Sequence, residues 1–134
     1  MSTIIRVNST FPEVSSQVCS IDNFSDLTTA QSTTIDVSGG VHLFQIIITN
    51  NTTTASFVKI WNHGSQPTIS TNTWSVQPDF VLPIEGNTTA DYTFTGIHQF
   101  EFATGFFIGA SSQGGGYGDS SGATDLDITI FVKS

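Results

Sequence analysis

A chain of 134 residues has the length of one ordinary domain, and folding buries roughly two-thirds of the surface such a chain exposes when unfolded, enough for one core and not for two. Only 10% of the residues are charged, against about 25% in a typical soluble domain, and Arg6, Lys59 and Lys133 face eleven acidic residues for a formal net charge of −8. That balance repels a phosphate backbone and argues against direct nucleic-acid binding, while no stretch approaches the apolar length of a membrane span.

The first residues, MSTIIRVNSTFPE, place Arg6 and Asn8 where a signal peptide would carry its apolar run, so synthesis in the cytoplasm without export is expected. Ile4 to Val7, Gln17 to Ile21 and Thr33 to Val37 each have strand-like composition. The polar text between them admits edge strands or an extended arm across residues 1–40, and edge strands are the expectation for a domain this size. Ile21 to Ala30, IDNFSDLTTA, has room for one short helical turn. Cys19 is the only cysteine, which excludes an intrachain disulfide framework and leaves a small buried thiol as the simplest reading. Sequons at Asn8, Asn23, Asn50, Asn51 and Asn87 follow from an Asn, Ser and Thr-rich composition and carry no functional weight.

Helical periodicity is nearly absent: β-branched residues and Phe fill the apolar positions, and helix formers are scarce. Val41 to Thr49 and Ala55 to Asn62, VHLFQIIIT and ASFVKIWN, are two apolar runs joined by NNTTT, a pattern that predicts a hairpin. In the second run Phe57, Lys59 and Trp61 share one face and Val58 and Ile60 the other, which is the expected core face. Pro78 to Ile84, Tyr92 to Phe94, Gly96 to Phe102 and Gly105 to Ser111 read as further short strands. Asp125 to Lys133 alternates cleanly, with Leu126, Ile128, Ile130 and Val132 on one side and Asp127, Thr129, Phe131 and Lys133 on the other, the signature of a half-buried strand. Short strands separated by Gly, Asn, Pro and Thr-rich turns, with no solenoid or propeller period, predict an all-β fold built as a single antiparallel β-sandwich, jelly-roll-like in architecture.

No catalytic or metal-binding constellation is recognisable. His42, His63 and His98 form no close pair, and Cys19 is remote from all three, so a zinc site is not expected. Asp119, Asp125 and Asp127 flank the glycine-rich stretch SSQGGGYGDSSGATDLD, which is compatible with a cation or glycan loop. It lacks the EF-hand spacing and terminal glutamate, and solvated carboxylates are the simpler reading. GGGYG is followed by neither a Walker lysine nor a helix, so it is no phosphate cradle. No serine stands in a GxSxG elbow. These absences predict a protein that is not an enzyme and uses no cofactor.

The aromatic set is the remaining lead. Trp61 lies opposite the expected core face, and Trp74 sits in the polar segment ISTNTWSVQPDF. Exposed indoles would mark a protein interface or a sugar-stacking platform, whereas buried ones would cover the edge of the sandwich. Trp61, Trp74, Phe80 and Tyr117 are the candidate interface residues.

The runs FVKIWNHGSQPT, FVLPIEG, FTGIHQFEFATGFFIGASS and DLDITIFV, in that order from Ser56 onward, resemble small virion proteins of tailed bacteriophages. There a VKLYD strand precedes a small-residue turn, followed by a PIP-like strand, a GIxFxTG element and a closing DVTVNLFY strand. Trp61-Asn62 stands in place of Tyr-Asp, the turn carrying Trp74 is longer, and the first forty residues have no counterpart. The resemblance implies a structural virion component, a capsid decoration or cement protein on the head exterior that binds the major capsid protein, forms homo-oligomers, and contacts neither DNA nor membrane. A tail, neck or fibre-associated protein is the alternative within virions. A carbohydrate-binding module using Trp61 or Trp74 is the alternative from another class.

Overall fold

The computed structural model describes residues 16–25, 30–70, 73–94, 100–112 and 124–133, and its regular structure there consists entirely of strands. They are β1 (Ser16–Phe24), β2 (Gln31–Ser32), β3 (Val41–Asn50), β4 (Ser56–Trp61), β5 (Ile69–Ser70), β6 (Thr73–Trp74), β7 (Phe80–Ile84), β8 (Thr89–Thr93), β9 (Phe100–Phe102), β10 (Phe107–Ser111) and β11 (Leu126–Lys133). The first sheet runs β1-β11-β3-β8, with β9 sharing the β8 edge of β3; the second runs β2-β10-β4-β7. All pairings are antiparallel, and four of them are nested: β1 with β11, β2 with β10, β3 with β8, and β4 with β7. A long hairpin folded over itself in this way is a jelly roll, two sheets closing on one interior.

The interior follows from alternation. β11 is buried at Leu126, Ile128, Ile130 and Val132 and half-buried at the residues between, as its sequence predicts. Leu43, Ile46 and Ile48 of β3 meet Val58, Ile60, Ile108 and Ala110 of the opposite sheet. Cys19 joins this core as a free thiol, only 4% exposed. A run of phenylalanines fills one end: Phe80 packs against Phe94 and Phe100, Phe100 against Phe102, and Phe102 stacks on Phe106 with centroids 4.1 Å apart.

Three expectations are corrected, and a fourth falls partly outside the described residues. β3 and β4 do not form a hairpin, since β3 belongs to the first sheet and β4 to the second. Their connection is an arch, held by buried Asn50. Its amide donates to the Thr54 and Ile84 carbonyls at 2.9 and 3.3 Å, and its side-chain oxygen accepts from the Thr52 backbone N–H and hydroxyl at 3.0 and 2.7 Å. Thr33 to Val37 is not a strand; it is irregular chain that inserts Ile35 into the core and ties to β1 where the Gln17 amide both donates to and accepts from the Asp36 backbone at 2.8 Å. Ile21 to Phe24, the start of the segment given a helical turn, belongs to β1, and residues 26–29 lie outside the described set. The strand expected at Tyr92 to Phe94 runs instead over Thr89–Thr93, an edge strand whose outward Thr and Asp residues weaken its apolar pattern. Ile4 to Val7 and residues 96–99 of the expected Gly96 to Phe102 strand are likewise outside the described residues.

Candidate docking surface

The two sheets differ on their outer faces. Over the second sheet the connection between β4 and β7 folds back and lays the β5–β6 hairpin on top. Trp74 thereby covers Trp61, their ring centroids 4.8 Å apart, and both pack with Ala30, Ile69, Val76 and Phe107 in a second hydrophobic cluster. The hairpin is stitched down by the Ala30 N–H to the Pro67 carbonyl at 3.0 Å and the Gln66 amide to the Ala30 carbonyl at 2.6 Å. Trp61 donates its indole N–H to the Val76 carbonyl at 2.8 Å. β4 is thus buried on both faces, and Lys59, expected in solvent, is fully enclosed with its ammonium 3.0 Å from the Ser111 hydroxyl.

This arrangement decides between the two alternatives for the indoles in favour of burial, and removes Trp61 and Trp74 as candidate interface residues. Trp61 is 0% and Trp74 2% exposed, so neither ring is offered to a partner or a sugar. Phe80 is half-buried within the phenylalanine run, and Tyr117 lies outside the described residues.

The first sheet has no such cover among the described residues. Val18 of β1, 56% exposed, pairs with Phe131 of β11, which pairs with Gln45 of β3. Register slips at that point, Val132 pairing with Leu43, so Phe44 is the extra residue of a β-bulge and turns outward beside Gln45. Its ring lies 6.1 Å from Phe131, and the Lys133 ammonium sits 5.2 Å from its centroid. Ile47, paired with Thr129 and Asp91, extends the apolar strip toward β8. Phe44, Ile47 and Phe131 are each half-buried by their neighbours on the sheet, leaving a low apolar relief. The sequence carried one signal of this surface: Phe131 on the otherwise polar side of β11. Phe44 and Ile47 were hidden inside a run that reads as uniformly apolar.

Charge is graded along the same face. Lys133, in register with His42 and then Glu101, marks one end; Asp127 on β11, in register with Thr49, marks the other. Asp127 accepts from the Asn23 backbone N–H and the Asn51 amide, each at 3.0 Å, and Asp125 from the Asn23 amide at 3.0 Å. These bonds, the Asn23 backbone N–H first, hold the Asp127 carboxyl below its ordinary value of 3.8. Both carboxylates therefore fasten β1 and the arch to β11, with Asn23 adopting a φ of 54° at the end of the strand. His63 bonds within its own turn to Ser65, while Asp119 and His98 lie outside the described residues. Among the described residues no group of three or more His, Cys, Asp or Glu could hold a metal ion, and no helix is long and apolar enough to cross a membrane.

No protein-family profile matches the sequence, and no curated protein matches it. Among solved structures, the chain is similar to the coat protein of tobacco streak virus, with 8% sequence identity and a TM-score of 0.44 over 90% of this chain and 86% of that one.

Proposed function

We propose that this chain is a structural virion protein of a tailed bacteriophage, a capsid decoration or cement protein that binds the major capsid protein on the outside of the head. The observation that carries the reading is where the four resembling runs fall. FVKIW lies in β4, FVLPI is β7, the FEF and FIGAS portions of the third run are β9 and β10, and DITIFV lies in β11. Three of these strands, β10, β4 and β7, are neighbours in one sheet, so the runs correspond to contiguous structure rather than scattered text.

Physical character suits the role. A small sandwich whose first sheet, among the described residues, has no cover on its outer face presents a surface at low entropic cost. Many copies on a symmetric shell turn weak contacts into strong reinforcement through effective concentration. Its acidic surface gains nothing from packaged DNA, which favours the exterior. The work is adhesion rather than catalysis, and the chain is made in the host cytoplasm before joining particles. The carbohydrate-module reading loses its stacking residues with the burial of Trp61 and Trp74.

Mass spectrometry and cryo-microscopy of purified particles test the proposal. Icosahedrally arranged copies on heads, and heads lacking the protein that assemble but release DNA at lower temperature, are the expected results. Copies confined to the tail, neck or fibres overturn the decoration role, and absence from particles overturns the virion role altogether.

A further inference from the structure

The open face of the first sheet is complementary to itself. Its apolar strip lies near the middle, Lys133 at one end and Asp127 at the other. Lys133 is the surface cation of this face, because Lys59, the other described basic residue, is enclosed. We propose that this face docks against the same face of a second copy, the two sheets stacked with strands antiparallel about a twofold axis level with Ile130.

That operator sets β11 over β11 of the second copy and reverses its direction, so Lys133 of each copy faces Asp127 of the other. Phe131, Phe44 and Val18 then lie over the row holding Thr129 and Ile47, giving an isologous contact. The parallel alternative places Lys133 over Lys133 and Asp127 over Asp127, and like charges opposed in this way disfavour it. Apolar contact supplies the attraction and the charge gradient selects the register. Four strands about 4.8 Å apart and seven residues rising about 3.3 Å each give a face of about 20 by 23 Å. Two such faces enclose on the order of 1,000 Å² in total, at the low end for a specific pair. The pair therefore forms at high protein concentration or when copies are held side by side. The purpose of the pairing, though not its geometry, rests on the virion reading: a paired subunit grips the shell at two points.

Sedimentation velocity and carbodiimide cross-linking of the intact chain test the inference. Within one copy Lys133 and Asp127 are six residues apart on an extended strand, about 20 Å, too far for a zero-length bond. A Lys133–Asp127 amide in a product of twice the monomer mass thus reports the antiparallel contact directly. The expected result is a monomer–dimer shift approaching completion at millimolar protein, that amide in the dimer, and at least tenfold weaker association for both F131S and K133E with unchanged circular dichroism. K133E removes no apolar contact from the core and serves if F131S fails to fold. A monomer at every concentration overturns the pairing, as does a dimer whose Lys133 couples only to carboxylates other than those at the Asp127 end. Incorporation of K133E into particles is scored separately. Parent protein that is monomeric at every concentration yet decorates heads refutes the pairing alone, and dimeric parent protein absent from particles refutes the virion reading alone.

Discussion

Replacing Trp74 isolates the third layer from the sandwich beneath it. The side chain is 2% exposed, and a buried aromatic of this size removes about 200 Å² from water, worth about 5 kcal/mol at 25 cal/mol per Å². Its indole N–H is buried without a hydrogen-bond partner, which costs about 1–3 kcal/mol. The net loss expected for Trp74→Ala is therefore about 3 kcal/mol, near the lower end for such truncations, and a fall in Tm of about 10 °C for a chain of this length. Trp74→Phe gives up about 1 kcal/mol of ring burial but deletes the orphaned donor, so it is expected within about 1 kcal/mol of the parent. Because the chain has two tryptophans, either variant leaves Trp61 as the sole indole reporter. Its emission is expected to stay blue-shifted in Trp74→Phe and to move red in Trp74→Ala. Urea unfolding followed by that emission and by circular dichroism checks both numbers. A Trp74→Ala loss below about 1 kcal/mol, or equal losses in the two variants, refutes the reasoning.

Three further outcomes are expected. The Asp127 carboxyl is lowered by the Asn23 backbone N–H and the Asn51 amide, so its stabilisation is complete above the unfolded-state value and disappears as pH falls through the folded-state value. Asp127→Asn should accordingly be less stable than the parent at neutral pH and converge with it toward pH 2 in chemical denaturation. Gly86→Ala drives a Cβ into the Thr53 backbone carbonyl, where the β7–β8 turn packs on the arch, and should cost about 1–3 kcal/mol, read as a lower Tm. Ser56→Ala removes a fully buried hydroxyl that has no partner and should be neutral or stabilising by about 1 kcal/mol in the same assay.

Strand-by-strand, the sequence was most legible where one face is dry and the other wet. The burial of β11 alternates without exception, as its residues alone foretell. The β3–β4 connection was not legible, because two apolar runs and a polar linker suit a hairpin and an arch equally; what distinguishes them is Asn50 reaching both Thr54 and Ile84, a contact across the fold. Trp61 was misread for a related reason. Lys59 beside it suggested a solvated face, and nothing local announces that residues 62–79 return to cover that face. The docking surface was half visible: Phe131 stood out among polar neighbours, whereas Phe44 is displaced outward by a bulge whose partner strand lies more than eighty residues downstream.

β11 lies between β1 and β3, so the strand synthesised last among those described joins the two. The Asn23–Asp127 bond alone spans 104 positions. Until residues 124–133 leave the ribosome, β1 lacks the strand it pairs with and β3 lacks one of its partners, so pairings of this sequence separation are expected to form late. A chain ending at residue 112 is accordingly expected to recover the folded circular dichroism spectrum only when a 124–133 peptide, which restores Leu126, Ile128, Ile130 and Val132 to the core, is supplied.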